Sequence, residues 1–157
     1  MEVGVLRRDG RTDPFFDGAA AGRLMIKRCA ACARWYTPDA SECPRCGAEP
    51  GWAEASGRAT LVSWAFAHAR PGQRGSGQGG SDQGGTGQGD ADGSAPPPAV
   101  LALVELAEGP WLHSRLDGVA RAALREGLPL RAHFVHPDEG ESYAVFRAAS
   151  PREEPPP

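Results

Sequence analysis

The sequence lacks several features that whole classes of proteins need. Its first residues, MEVGVLRRDGRTDP, contain no apolar run of the kind found in a signal peptide. No stretch approaches the roughly 18 consecutive apolar residues of a membrane-spanning helix. No cysteine lies outside residues 29–46, so distant parts of the chain have no partners for a disulfide. We therefore expect a cytoplasmic protein that has no contact with a membrane.

Catalytic motifs are also missing. The sequence has no G-x-S-x-G turn to strain a serine nucleophile, and no glycine-rich loop followed by Lys-Ser or Lys-Thr to hold phosphate. Ser114 and Asp117 could be joined to a histidine on paper, but no pattern in the sequence brings such a set together. The histidines form no ligand motif with their neighbours: His68, His113, His133 and His136. We predict exposed or hydrogen-bonded histidines and no catalytic residue.

Neither sign of charge dominates, and the net charge is -3. Residues 23–58 carry six basic and four acidic side chains, an excess of +2. Four thiolates around one divalent ion carry a net charge of about -2, which would cancel that excess. We therefore interpret the arginines of this segment as counter-charges to a metal centre, and we predict no nucleic-acid binding.

What the sequence does contain is a compact group of four cysteines in two C-x2-C pairs: Cys29, Cys32, Cys43 and Cys46. Each pair can form a tight turn, or knuckle, whose backbone amides point toward sulfur, and two facing knuckles give four tetrahedral thiolates. Because such a site has no open ligand position, we predict one structural Zn²⁺ per chain. Iron in a rubredoxin-like electron carrier remains an alternative, since the same thiolates accept either metal.

The residues around the first cysteine pair predict one helix and two strands. Asp13 can cap a short helix with Pro14 in its first turn, and the following FFDGAAAG supplies an apolar face. RLMIKRC predicts a strand that enters the first pair, and RWYTP predicts one that leaves it. We assign residues 1–22 to an N-terminal tail and short helix, and residues 23–55 to a zinc ribbon.

The sequence after Ser56 predicts a small barrel. Five stretches have strand character: GRATLVSWAFAHA, AVLALVEL, PWLHSRL, LPLRAHFV and SYAVFRA. A possible short helix, GVARAALREG, follows the third. This order predicts a mainly β chain with a five-stranded OB-fold barrel at 56–150, and a small sandwich is the alternative. We expect the strand aromatics to lie in the core: Trp64, Phe66, Trp111, Phe134 and Phe146.

A glycine-rich insertion separates the first two predicted barrel strands. Residues 71–98 contain ten glycines and no large apolar side chain. Such a segment cannot bury enough surface to offset its ordering entropy, so we predict that it is disordered. We also predict a flexible C-terminal tail at 151–157.

The order of these features resembles a known family. GRLMIKRCAACARWYTP, CPRCG, a tryptophan shortly after, SGRATLVSW and ALVELAEGPWLHSRL are together similar to the zinc-ribbon/OB-fold family, an acyl-CoA-associated family long labelled a domain of unknown function. The resemblance covers about residues 13–148. It implies an aromatic-led helix, a rubredoxin-like zinc ribbon and a C-terminal OB barrel, with the glycine-rich segment as an insertion.

The same resemblance implies a function. Family members generally serve as accessory subunits of thiolase-fold proteins: thiolases, hydroxymethylglutaryl-CoA synthases, lipid-transfer-protein-type aldolases and acyltransferases. The partner holds the catalytic residues. The family motif carries over the four cysteines as zinc ligands and implies acyl-CoA contact near the junction of ribbon and barrel, at residues that no motif here identifies.

We accordingly expect a non-catalytic accessory subunit that forms a hetero-oligomer with a thiolase-fold partner and helps position an acyl-CoA or acyl-thioester. Two alternatives remain at this point. One is an OB-fold nucleic-acid-binding protein with a zinc ribbon, and the other is a rubredoxin-like electron carrier.

Overall fold

A computed structural model of the chain describes residues 5–68 and 98–150. The predicted tail at 151–157 and the predicted disorder at 71–98, apart from Pro98, lie outside the described residues, so both remain predictions.

The described residues form one α-helix and eight strands. In chain order these are α1 (Asp13–Ala20), β1 (Leu24–Arg28), β2 (Trp35–Tyr36), β3 (Gly51–Ala55), β4 (Arg58–Ala67), β5 (Ala99–Leu106), β6 (Trp111–Leu116), β7 (Pro129–Val135) and β8 (Tyr143–Ala148). Strands β1 to β3 form a sheet in the order β2-β1-β3, and the others form a closed barrel in the order β4-β5-β6-β8-β7. The predicted order of short helix, ribbon and five-stranded barrel is therefore confirmed.

Helix α1 begins differently from the prediction. Asp13 is the first helical residue, and Thr12 occupies the N-cap position without a side-chain capping bond, so the expectation that Asp13 caps the helix is wrong. Pro14 does lie in the first turn, where the missing amide hydrogen costs nothing. At Gly18 a Cβ atom would collide with Met25 Cγ, and the absent side chain lets the helix approach β1 closely. In the described part of the chain, no helix is long and apolar enough to cross a membrane.

One strand differs from the prediction because no strand was expected there, and one predicted helix is shorter than expected. Strand β3 pairs with β1 along its whole length, although its sequence, GWAEA, has no β-branched residue to indicate a strand. The predicted helix in GVARAALREG is reduced to a 3-10 turn at Arg121–Ala123. Gly118 and Gly127 flank this turn with positive φ angles, which an α-helix does not accommodate.

The ribbon and the barrel share one apolar core. Along β5, Ala102, Val104 and Leu106 are buried, whereas the alternate residues Leu101 and Glu105 face outward. The buried cluster combines residues of β1 and β3 with residues of the barrel: Leu24, Ile26, Ala55, Ala59, Leu61, Ala102, Val104, Leu106, Leu116, Leu128, Leu130 and Phe146. Because the cluster is continuous, loss of the ribbon sheet would expose the end of the barrel core.

Phe146 lies where the barrel closes. Strands β6 and β8 run parallel, and their register contains a single pair, Leu116 with Phe146. The Asp117 amide donates a hydrogen bond to the Phe146 carbonyl at 2.9 Å. The Phe146 side chain is only 1% exposed. Phe146 therefore contributes both the backbone contacts between β6 and β8 and a large buried side chain to the barrel core.

The strand aromatics divide between core and surface. Phe146 is buried and Phe134 packs against the core cluster, as predicted. Trp64 is 37% exposed and Trp111 is 51% exposed, so the prediction that they lie in the core is wrong. Trp111 lies opposite the outward-facing Glu105 of β5, on the outer side of the barrel wall.

A bulge interrupts the alternation of inward and outward residues in β4. The pairing of β4 with β5 shifts between Leu61 and Ser63, so the inward positions change from odd to even residue numbers. Trp64 consequently pairs with the buried Ala102, so its 37% exposure does not result from the alternation along β4. Half-buried Phe66 is covered by the guanidinium of Arg121, which lies 3.8 Å from the ring centroid.

The segment before α1 is attached to the last turn of the barrel. The Glu141 amide donates to the Leu6 carbonyl at 3.1 Å. Arg8 donates two hydrogen bonds to the Glu141 carboxylate, at 2.9 and 2.7 Å, and a third to Asp17 at 2.9 Å. The Arg8 guanidinium thereby lowers the pKa of Glu141. A Cβ atom at Gly140 would lie 2.9 Å from the Leu6 carbonyl oxygen, so glycine permits this close approach.

Candidate metal centre

The four cysteine sulfurs form one cluster, with all of them within 4.8 Å of one another. Cys29 Sγ lies 3.5 Å from Cys46 Sγ, and Cys32 Sγ lies 3.4 Å from Cys43 Sγ. A disulfide would bring two sulfurs to about 2.05 Å. A tetrahedral zinc site with bonds of about 2.3 Å has sulfur–sulfur edges of about 3.8 Å. The spacing thus fits four ligands around one zinc ion.

The two knuckles have the same backbone geometry. In residues 29–34 and in residues 43–48, the cysteine amide donates to the carbonyl five residues later, at 2.8 Å. The amide four residues after that cysteine donates back to its carbonyl, at 2.9 Å. The two knuckles therefore adopt the same turn although their side chains differ. This turn brings the two sulfurs of each C-x2-C pair to the same side.

Backbone amides point at the sulfurs, as the knuckle prediction requires. Cys29 accepts hydrogen bonds from the amides of Cys32 and Ala31, and these lower the pKa of its thiol. Cys43 accepts from the amides of Arg45 and Cys46. Hydrogen bonds to the charged form favour thiolates, which are the species that bind zinc.

One side chain also contacts the sulfurs. The hydroxyl of Tyr36, in β2, lies 3.1 Å from Cys43 Sγ. This bond, followed by the Arg45 and Cys46 amides, lowers the pKa of Cys43 to about 6. The same bond raises the pKa of Tyr36 to about 12. The sequence alone does not identify Tyr36, because only the register of β2 places its hydroxyl against the other knuckle.

The four sulfurs form a closed metal site, and two of them are fully buried. Cys29 and Cys43, the first cysteine of each pair, are fully buried, whereas Cys32 is half-buried and Cys46 is exposed. With four sulfurs in place, a tetrahedral ion has no free position for water or substrate. The residues therefore suit a structural ion and offer no water-activating metal.

Two cations of the ribbon lie over tryptophan rings. Lys27 Nζ is 4.5 Å from the centroid of Trp52, and the Arg28 guanidinium is 5.2 Å from that of Trp35. Cation–π contacts of this kind contribute about 0.5–1 kcal/mol each at exposed sites. The predicted counter-charges thus also pack on the ribbon sheet, which the charge count could not show.

The equivalence of the two knuckles predicts opposite effects on stability for two substitutions. Ala33 has φ 58° and Gly47, at the equivalent position of the second knuckle, has φ 69°. Replacing Gly47 with alanine should cost about 1–2 kcal/mol, since a left-handed backbone disfavours a Cβ atom. The nearest atom to that Cβ would be Glu42 Oε1, at an ordinary 3.6 Å, so the loss would come from the backbone alone.

The reverse substitution, glycine for alanine at the equivalent position of the first knuckle, should increase the free energy of unfolding. Ala33→Gly removes the strain but adds freedom to the unfolded chain, so we expect a gain below about 1 kcal/mol. Chemical denaturation of the zinc-loaded variants measures both values. Destabilisation by both changes would contradict the equivalence of the two turns.

The other residues considered from the sequence do not assemble into a catalytic set. All four histidines are exposed, as expected. The Ser114 hydroxyl donates to the Ala144 carbonyl at 3.4 Å, and Asp117 accepts hydrogen bonds from the Arg147 guanidinium. Within residues 5–68 and 98–150, the cysteines are also the only cluster of three or more potential metal ligands.

Comparison with known proteins identifies both halves of the fold. Residues 16–50 match the family described as the rubredoxin-like zinc ribbon domain of ChsH2. Residues 88–135 match the family described as the C-terminal OB-fold domain of ChsH2.

Solved structures support the same assignment. A chain of the Ltp2-ChsH2(DUF35) aldolase is 29% identical, with a TM-score of 0.68 over 91% of this chain and 98% of that one. A DUF35-family protein of unknown function from Sulfolobus solfataricus is 15% identical, with a TM-score of 0.53 over 90% of this chain and 87% of that chain, and shows the fold alone.

A curated relative is larger than this chain. A probable enoyl-CoA hydratase alpha subunit from Thermomonospora curvata is 32% identical over 141 residues, which are 89% of this chain and 38% of that protein. The chain thus spans about two fifths of the length of that relative. With the ChsH2 ribbon and the ChsH2 barrel present in that order, this chain belongs to the ChsH2 zinc-ribbon/OB-fold family.

Proposed function

We propose that this chain is a non-catalytic accessory subunit that docks on a thiolase-fold partner and helps position an acyl-CoA or acyl-thioester substrate. The observation that carries the proposal is the likeness to a chain of the Ltp2-ChsH2(DUF35) aldolase, which spans almost all of both chains. The description of that aldolase joins two names, Ltp2 and ChsH2, and this supports a partner for the present chain.

The zinc-binding part of the proposal assigns the four cysteines as ligands of one structural Zn²⁺ per chain. It divides the chain into a ribbon at 23–55 and a barrel at 56–150, preceded by the tail and helix at 1–22. The sulfur–sulfur distances support the four cysteines as ligands of one ion. Thiolate ligation of zinc fits a reducing compartment such as the cytoplasm, because free cysteines persist there.

The described side chains support a division of labour with a partner. Asp117, Arg147, Glu141 and Arg8 are engaged in ion pairs, and the four histidines are exposed, with His136 hydrogen-bonded to the Ser142 hydroxyl at 2.9 Å on the surface. We assign the nucleophile and the acid–base groups to the partner. This chain would contribute proximity, because an oriented substrate has lost the translational freedom that a bimolecular encounter would otherwise cost.

Exposed apolar side chains on the barrel support a contact with another macromolecule. Leu101 of β5 is 49% exposed and Trp111 of β6 is 51% exposed, and both face away from the barrel core. Large apolar groups exposed on a strand face are typical of surfaces that are covered in an assembly.

Native mass spectrometry of the chain co-expressed with the thiolase-fold protein encoded nearest to it tests the proposal. We expect a hetero-oligomer with one zinc per copy of this chain, and loss of acyl-CoA turnover when this chain is omitted. Leu101→Asp should weaken the complex at least tenfold, whereas His133→Asp, at an exposed position of β7, should not. A lone zinc-loaded monomer, or equal turnover without this chain, would refute the accessory role.

Two further readouts address the alternatives. A salt-dependent shift of labelled single-stranded RNA or DNA would favour a nucleic-acid binder, since phosphate contacts release counterions. Red protein with thiolate-to-iron absorption would favour an electron carrier. We expect neither result.

A further inference from the structure

Tyr36 links the two halves of the metal centre. It lies in β2, which leaves the first knuckle, but its hydroxyl contacts Cys43 of the second knuckle at 3.1 Å. The pairing of Tyr36 with Lys27 of β1 fixes its position in the sheet. The contact therefore depends on strand register and not on a flexible loop.

The direction of this hydrogen bond follows from the chemistry of the site. A cysteine that binds zinc does so as a thiolate, which has no proton to donate. The Tyr36 hydroxyl must then donate and the sulfur must accept. Cys43 is fully buried, and a hydrogen bond to a charged acceptor is stronger where water does not compete.

The equivalent cysteine of the first knuckle has a different environment. Cys29 is also fully buried and accepts backbone amide hydrogen bonds, as Cys43 does. Among the hydrogen bonds of the described residues, no hydroxyl donates to Cys29. The backbone hydrogen bonds to the Cys29 and Cys43 sulfurs are therefore equivalent. The hydroxyl of Tyr36 is the contact that differs, because it reaches Cys43.

We propose that Tyr36 tunes the metal centre by donating a hydrogen bond to the Cys43 thiolate and withdrawing electron density from that sulfur. Partners of metal ligands adjust ligand basicity in this way. The result is a less nucleophilic sulfur at Cys43 and a more inert, purely structural ion. This inference rests on the zinc part of the proposed function and is independent of the thiolase-fold partner.

Cobalt(II) in place of zinc makes the effect visible, because its sulfur-to-metal charge-transfer band reports the electron density on the thiolates. Tyr36→Phe should move this band to lower energy, since the sulfur regains electron density. Tyr143→Phe, which changes the other of the two tyrosines, should leave the band where it is. Cobalt stoichiometry should remain one per chain in all three proteins.

A second experiment tests the role of Tyr36 even if Tyr36→Phe destabilises the ribbon. In the Tyr143→Phe protein, Tyr36 is the only tyrosine, so growth on 3-fluorotyrosine alters that side chain alone. The fluorinated phenol is a stronger donor and should move the band to higher energy. Bands at one energy in all the proteins would overturn the role of Tyr36. Failure of the unaltered protein to give a tetrathiolate cobalt spectrum would overturn both this inference and the zinc site.

Discussion

Cys43→Ser is expected to release the metal and to unfold the ribbon at 23–55. Serine supplies a hard oxygen where zinc prefers a soft thiolate, and Cys43 is fully buried. Structural zinc in small domains contributes about 10–16 kcal/mol of binding free energy, and that free energy stabilises the fold. Metal analysis and near-ultraviolet circular dichroism measure the two losses.

The loss should extend beyond the knuckles. Leu24 and Ile26 of β1 belong to the same buried cluster as the barrel residues, so an unfolded ribbon exposes the adjoining core. We therefore expect a lower melting temperature for the whole chain. Ser41→Ala, an exposed change two residues from Cys43, serves as the control and should retain one zinc. A well-folded, metal-free Cys43→Ser protein would contradict a structural site.

Phe146→Ala is expected to have the largest effect among core substitutions that leave the metal centre intact. Truncation of a buried phenylalanine costs about 3–5 kcal/mol, through lost burial and the cavity that remains. Phe146 is 1% exposed and lies at the single β6–β8 register pair, so its truncation removes core volume where the barrel closes. Denaturant unfolding of the zinc-saturated protein gives the change in free energy.

Trp111→Ala is the matched control for Phe146→Ala. Trp111 is also an aromatic residue on a barrel strand, but it is 51% exposed on the outer face. We expect its truncation to cost less than about 1 kcal/mol, as is usual for surface positions. Similar losses for the two variants would refute the view that Phe146 closes the barrel.

The features predictable from sequence were those that local patterns specify. Two C-x2-C pairs predict two knuckles on their own, and five stretches of strand character predict the five barrel strands. The alternation of buried and exposed residues is regular in the second half of β5. The ends of β4 to β8 fall within the predicted stretches. Their closure into a barrel followed from strand number and the resemblance to the family.

The features that sequence did not show depend on contacts between distant residues. Strand β3 forms because it pairs with the edge of β1, although its sequence contains no β-branched residue. The bulge after Leu61 changes which side of β4 faces inward, and no local pattern indicates it. The Tyr36–Cys43 contact likewise requires β2 to hold the hydroxyl beside the second knuckle. Each of these is set by tertiary pairing.

The attachment of Arg8 to Glu141 has a consequence for the order of folding. These two residues are 133 positions apart, whereas the backbone bonds that close each knuckle span five residues. Closing a long loop costs more chain entropy than closing a short one, so the knuckles can form early and the Arg8 contact must form late. During synthesis, the ribbon can bind its metal while Leu24 and Ile26 still await the barrel strands. We therefore expect a nascent chain whose ribbon has bound metal to expose Leu24 and Ile26 until β8 has left the ribosome.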